Sequence, residues 1–230
     1  MAIKRKLEKK SEETLLDLTQ ARAQATTFFE RNQKMIVGIL TGLLVVVGGW
    51  FGYNNLIKQP KEQKAMSQMW KAQMQFEQDS FLMALENPGG GYSGFLQIIK
   101  DYGGTKAGNL AHYYAAISYL NLGNFDAALS HLNDFDPDGA VGPALKHGAL
   151  GDVYSELNQM DKALEQYKKA ADAGENDVLT PYYLKKLALL HETQNNVEKA
   201  LEIYRDIKRK YPNSNEALSI DKYIARAESK

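Results

Sequence analysis

Apolar residues recur along most of this chain at helical spacing, and one stretch is apolar without a break. From Met35 to Ile57, between Lys34 and Lys58, no residue is charged. As a helix rising about 1.5 Å per residue, this run reaches about 34 Å, enough to cross a hydrocarbon core of about 30 Å. Trp50, Phe51 and Tyr53 crowd one end and Phe28 and Phe29 precede the other, where amphipathic rings favour the interface. The competing reading is a buried helix of a soluble protein, but no nearby segment could wrap its whole circumference. No small-x-small cleavage site follows the run, so the pattern predicts a permanent single-pass anchor rather than a signal peptide.

Before the anchor, Ser11 to Glu30 contains no Pro or Gly, and Leu15, Leu18, Arg22, Ala25 and Phe29 fall at helical spacing. This stripe reads as a surface-lying or partner-docking helix, or as a helical extension of the anchor or a disordered leader. Within the anchor, Gly38, Gly42, Gly49 and Gly52 share one face, and Gly38-x-x-x-Gly42 and Gly48-x-x-x-Gly52 fit the small-xxx-small pattern of close helix packing.

After the anchor the pattern becomes periodic. Asn124-Phe125-Asp126-Ala127-Ala128-Leu129, Gln159-Met160-Asp161-Lys162-Ala163-Leu164 and Asn196-Val197-Glu198-Lys199-Ala200-Leu201 align at spacings of 35 and 37 residues. Leu132, Tyr167 and Tyr204 follow each Ala by four. Tyr119, Tyr154 and His191 precede it by nine, and Ala116, Gly151 and Ala188 fill a small position before that. Pro212 closes the third copy. Small residues where helices cross, large ones in the holes between, and turns near 123–124, 158–159 and 195–196 make the tetratricopeptide pattern. The usual Trp is absent, and His112 and His147 stand in its place, which reads as packing in preference to metal ligation.

Gln63 to Glu86 reads as a further helix, broken by Asn87-Pro88-Gly89-Gly90-Gly91 and followed by a short one at Phe95, Ile98, Ile99 and Tyr102. Together they form a degenerate first pair. Ala217, Ile220, Ile224 and Ala227 line one face of a final helix, as a solenoid end requires. The expected organisation is a basic, partly helical tail (1–34), the anchor (35–57), the degenerate pair (58–104), three repeats (105–212) and a cap (213–230). The fold class is all-α, a transmembrane helix followed by a right-handed helical solenoid.

In such repeats the first helices line a concave groove. Carried onto this chain, its positions are Leu110, Tyr113, Ile117 and Leu120, then Asp152, Ser155 and Glu156, then Tyr182, Lys185, Leu189 and Glu192. Tyr113, Ile117 and Leu120 stand where carboxylate-capturing repeats carry a basic ring. The expectation is a groove with an apolar and an acidic end that takes extended or helical polypeptide, against the alternative that the tyrosines only pack on the cap.

Charge and composition narrow the classes. Residues 1–34 carry eight Lys/Arg and five acids, while 59–230 carry 19 and 23. The positive-inside rule then favours a cytoplasmic N-terminus and an exported C-terminal region. A net charge of zero argues against nucleic-acid binding. Zero Cys removes disulfides, thiolate nucleophiles and Cys-ligated zinc. No phosphate loop or HExxH spacing occurs, and Asp134, Asp136 and Asp138 beside Gly139 lack the distal Glu of a calcium loop. No catalytic residue, cofactor or metal site is expected.

The anchor at 35–57, the stretch Phe95-Leu-Gln-Ile-Ile-Lys-Asp-Tyr102 and the stretch Leu110-Ala-His-Tyr-Tyr-Ala-Ala-Ile-Ser-Tyr-Leu-Asn-Leu-Gly123 together resemble the ancillary SecYEG translocon subunit family. The resemblance covers most of residues 30–230. It implies a bacterial inner-membrane protein with periplasmic tetratricopeptide-like repeats. Its implied partners are the SecYEG translocon, a membrane-anchored prolyl-isomerase-like chaperone and unfolded polypeptide, with no enzymatic activity. An adaptor in another envelope assembly, serving secretion, division or outer-membrane biogenesis, fits the same residues.

Overall fold

The computed structural model describes the backbone of residues 2–229 and the side chains of residue 22, residues 26–28 and residues 30–229. The stripe positions Leu15, Leu18, Ala25 and Phe29 lie outside the described side chains. The chain divides into two compact units, residues 1–59 and 60–230. Among the described residues every regular element is helical.

The first unit is helix α1, Ala2–Tyr53, whose hydrogen-bond ladder widens at its end into a π-helical turn, Asn54–Lys58. The apolar run has a mean hydropathy of 2.1 over its best 18-residue window, and none of that window is buried within the structure. Leu44, Val45 and Val46 are each 70% exposed, which water would penalise and lipid would not. The long apolar helix is thus compatible with a single-pass anchor. A Cβ placed on Gly38, Gly42, Gly48, Gly49 or Gly52 would meet no atom within 4 Å, so this face is open.

The second unit runs through α2 (Gln59–Glu77), α3 (Phe81–Glu86), α4 (Phe95–Tyr102), α5 (Lys106–Asn121), α6 (Phe125–Asp134), α7 (Gly142–Glu156), α8 (Met160–Asp172), α9 (Leu179–Thr193), α10 (Val197–Lys210) and α11 (Ile220–Glu228). Helices α5–α6, α7–α8 and α9–α10 pack as successive antiparallel pairs. In each pair the turn places one residue in the left-handed region: Gly123 at φ +75°, Asn158 at +57° and Asn195 at +61°. Gly and Asn tolerate that conformation best. Ala128, Ala163 and Ala200 are fully buried, and so are Leu132 and Tyr204, while Tyr167 is 6% exposed.

The first pair differs from the expected layout. The helix expected over 63–86 ends at Glu77, because Asp79 adopts φ +56°. Asp79-Ser80-Phe81 therefore stands where Gly123-Asn124-Phe125 stands in the next copy, and Ala84 is buried as Ala128 is. An Asp in that register is a turn signal as real as Gly or Asn, though weaker in sequence. The second helix of this pair is interrupted, so α3 carries its start and α4 its continuation, both packed on α5.

Helix α2 is joined to the solenoid through its first turn. Glu62 accepts hydrogen bonds from the backbone N–H of Lys106 (2.7 Å) and Ala107 (2.8 Å), while Thr105 Oγ1 accepts from Gly108 (2.9 Å). A carboxylate at a helix N-terminus satisfies donors that have no intrahelical partner. Glu62→Ala is expected to cost about 1–2 kcal/mol and to raise amide exchange in α2 and the first turn of α5 selectively. Exchange rising evenly over all ten helices would contradict this role.

At the other end, α11 lays Ile220 and Ala227 onto Ala188, Ala200, Tyr204 and Ile207. The capping helix itself begins at Ile220, after a loop and a short 3-10 turn at Ala217–Ser219.

Candidate protein-interaction groove

The groove positions on α5, α7 and α9 meet at a cluster of tyrosines. Tyr113 on α5 lies close enough to Tyr182 and Asp152 for their charges to act on it, and its hydroxyl is pushed up to about 12, chiefly by burial and then by Tyr114, Asp152 and Tyr182. Tyr183, beside Tyr182 at 5.1 Å between ring centres, is also raised, first by burial and then by Tyr113 and Asp152. Phenols held neutral in this way keep a donor proton and an apolar face, the combination that recurs at protein interfaces.

Two glycines on α7 make room for tyrosine rings, Gly148 for Tyr183 of α9 and Gly151 for Tyr167 of α8. A Cβ on Gly148 would overlap the Tyr183 ring, and one on Gly151 would lie 2.5 Å from Tyr167 Cδ1. Tyr167 reaches across that gap to donate to Asp152 Oδ1 at 2.6 Å. Lys186 donates to the same oxygen at 2.5 Å, with its ammonium 5.1 Å from the centre of the Tyr182 ring and 5.7 Å from that of Tyr167. Desolvation opposes the Lys186 charge, but Asp152 and Tyr182 outweigh it, and its pKa is raised.

The expected acidic end is largely neutralised. Asp152 holds Lys186. Glu192, placed in the groove by its spacing, is only 5% exposed. Its carboxylate accepts from Arg226 Nε (3.0 Å) and Nη2 (2.6 Å) of the capping helix and from the Tyr204 hydroxyl (3.0 Å). Spacing along the chain gives no sign of this pairing, which Arg226 of α11 makes from 34 residues away. Lys185 likewise lies over the Tyr223 ring of α11, 5.1 Å from its centre. Leu189 borders a small recess of about 290 Å³ with Glu192, Thr193 and Arg226. Glu156 is exposed.

Two larger clefts flank the tyrosine cluster. One, of about 660 Å³, is lined by Leu110, Tyr113 and Tyr114 of α5, Phe135 and Val141 of the following loop, and Leu145 of α7. An exposed ion pair, Lys106–Asp138 at 3.2 Å, stands at its edge. The other, of about 650 Å³, is polar and gathers Leu120, Asp152, Ser155, Glu156, Tyr167 and Lys186. The structure thus brings Tyr113, Asp152 and Tyr182 together and sets Leu110 and Leu120 in separate clefts. Ile117 is half-buried in the α5–α6–α7 core cluster.

Sequence spacing missed Lys186, Tyr167, Gly148 and Arg226. Gly148 and Gly151 on one helix were the available signal of large side chains packed against α7. Lys186 gave no such signal, because spacing does not name its partner.

Of the two histidines at the Trp place, His147 Nδ1 lies 2.8 Å from Gln166 Oε1 and His112 Nδ1 lies 3.1 Å from His131 Nδ1. Among the described residues no group of three or more His, Cys, Asp or Glu is disposed to hold a metal ion.

Comparison with known families agrees with this architecture. One tetratricopeptide repeat model matches residues 149–215 and a second matches residues 110–136. No curated protein and no solved structure matches the chain. The repeat region is therefore tetratricopeptide-like, a kind of repeat that suggests an adaptor for protein–protein interaction. Repeats of this kind are generally non-enzymatic scaffolds, and neither match is to a catalytic family.

Proposed function

We propose that this chain is a membrane-tethered adaptor of bacterial protein export, associated with the SecYEG translocon and holding a periplasmic chaperone or an emerging polypeptide on its repeats. The supporting observation is the union in one chain of a long apolar helix and a tyrosine-lined cleft of about 660 Å³. The Sec assignment itself rests on the resemblance at residues 35–57, 95–102 and 110–123. In this reading the basic tail stays cytoplasmic in the inner membrane and residues 58–230 lie in the periplasm. Leu110, Tyr113 and Tyr182 supply apolar contact to the guest, while the exposed Glu156 accepts its hydrogen bonds. Tethering raises effective concentration, so a weak groove contact suffices once both parties share one membrane patch.

The open face of Gly38, Gly42, Gly49 and Gly52 is proposed as the contact for a partner's transmembrane helix. A mild-detergent pull-down of the tagged full-length protein, followed by mass spectrometry, tests both parts. Recovery of SecY and a prolyl-isomerase-like chaperone supports the export reading. Stoichiometric recovery of a different envelope complex replaces it with another adaptor role. Gly42→Leu with Gly49→Leu is expected to reduce recovery of the membrane partner at least tenfold, about 1.4 kcal/mol of lost association. Unchanged recovery would rule out the glycine face.

A further inference from the structure

The same pair of positions on paired helices recurs in all three repeats with different chemistry. At 35- and 37-residue intervals it is His112 with His131, His147 with Gln166, and Leu184 with Ile203. The third pair lies within the apolar packing of its repeat. The second pair is a hydrogen bond of 2.8 Å. The first brings two imidazoles together, Nδ1 to Nδ1 at 3.1 Å, with ring centres 5.2 Å apart. We propose that the His112–His131 pair is a proton-operated clasp between α5 and α6, closed while a single hydrogen lies between its facing nitrogens and opened when acidification places one on each.

The geometry admits one hydrogen between the two Nδ1 atoms. In the neutral pair one ring donates and the other accepts. Fully protonated rings present two N–H groups and two positive charges across 3.1 Å, which is repulsive. Tyr119 stacks on His131, its ring 5.5 Å away and tilted by 10°, and so restrains the ring from turning aside. His131 is lowered by burial and then by His112, and His112 is lowered by burial; Asp134 on α6 partly offsets both.

Beyond Asp134, the elements packed on α5 and α6 supply no compensating partner among the described residues. On α7, Lys146 is engaged with the carbonyls of Asn133 and Phe135, and His147 with Gln166. On α4, Lys100 is exposed and Asp101 accepts from Gln97. On α3, Glu86 is exposed, and Glu62 of α2 is committed to the α5 N-terminus. The folded pair therefore binds protons less readily than the unfolded chain, in which each imidazole titrates near 6.5. Its stabilisation is complete above about pH 6.5 and is lost as pH falls through the lowered values. Tyr113, next to His112 on α5, lines the apolar cleft, so the clasp and the cleft share one helix.

The test is hydrogen exchange, read by mass spectrometry on the full-length protein in detergent at pH 7.5 and 5.2 and corrected for intrinsic exchange rates. Opening of α5 and α6 is expected to rise severalfold relative to α7 and α8 as the pH is lowered, because the folded pair binds protons less readily than the unfolded chain. His112→Leu with His131→Ile, which copies the third repeat, is expected to remove that rise. Ring-proton NMR of the wild type, with assignments from the single variants, should show the pair taking up protons in two separated steps. A flat response, an equal pH response in the double variant, or two independent titrations near 6.5 would each overturn the clasp.

Discussion

Replacing Gly148 with alanine is expected to destabilise the second unit by about 3 kcal/mol and to lower its melting temperature by about 6–12 °C. The site has no room for a methyl group. The added carbon would overlap the Tyr183 ring, which is only 5% exposed and bounded by Ala144, Ala163 and Leu187 of the same core cluster. A ring so enclosed cannot swing out, so α9 must move away from α7. That movement would separate Tyr182 and Lys186 from Tyr113 and Asp152 and open the tyrosine cluster. Thermal unfolding measures the first effect, and loss of whatever partner the pull-down recovers measures the second. Gly104→Ala is the control, because a Cβ there meets nothing within 4 Å. Equal melting temperatures for wild type and Gly148→Ala would show that the Tyr183 ring does not fill the space over Gly148 as described.

The second large effect is expected at the solenoid's end. Arg226→Ala would take the guanidinium away from the Glu192 carboxylate, which is 5% exposed. Breaking a fully buried pair costs about 3–5 kcal/mol, and because the Arg226 side chain is 49% exposed the expected loss here is about 2 kcal/mol. The consequence is local: α11 loosens and uncovers Tyr204 and Ile207, which it packs against. Limited proteolysis should then cut within residues 211–228 first. Adding Glu192→Gln should restore part of the stability, because a neutral amide needs no counter-charge and can still accept from Tyr204. A single variant within about 0.5 kcal/mol of wild type would show that the pair is an incidental surface contact.

Much of the fold was legible because repetition averages out local ambiguity. Ala128, Ala163 and Ala200 are small in three registers at once, and all three are fully buried. The three turns fall where the pattern puts them, with Gly123, Asn158 and Asn195 in the left-handed region. The first pair was harder to read because it has no clean partner copy. Asp79 does there what Gly and Asn do elsewhere, and the apolar spacing ran through it unbroken. The groove was legible only in part. Spacing assigns a residue to a helix face but not its partner, so the pairing of Lys186 with Asp152 emerges only from the packing of α9 beside α7.

The sequence by itself determined an uncharged run long enough to span a bilayer, three copies of a small-large helical pattern, and an amphipathic last helix. These follow from local periodicity and composition, which need no knowledge of what lies opposite. Only the tertiary structure decided which charges are spent. Asp152 and Glu192 read as a free acidic surface in one dimension, yet each meets a cation 34 residues away. The same holds for Glu62, whose partners lie 44 and 45 residues further on, and for His112, which faces another histidine rather than solvent. A charge's neighbours are set by how the helices pack, and that packing depends on where glycine makes room for a large ring.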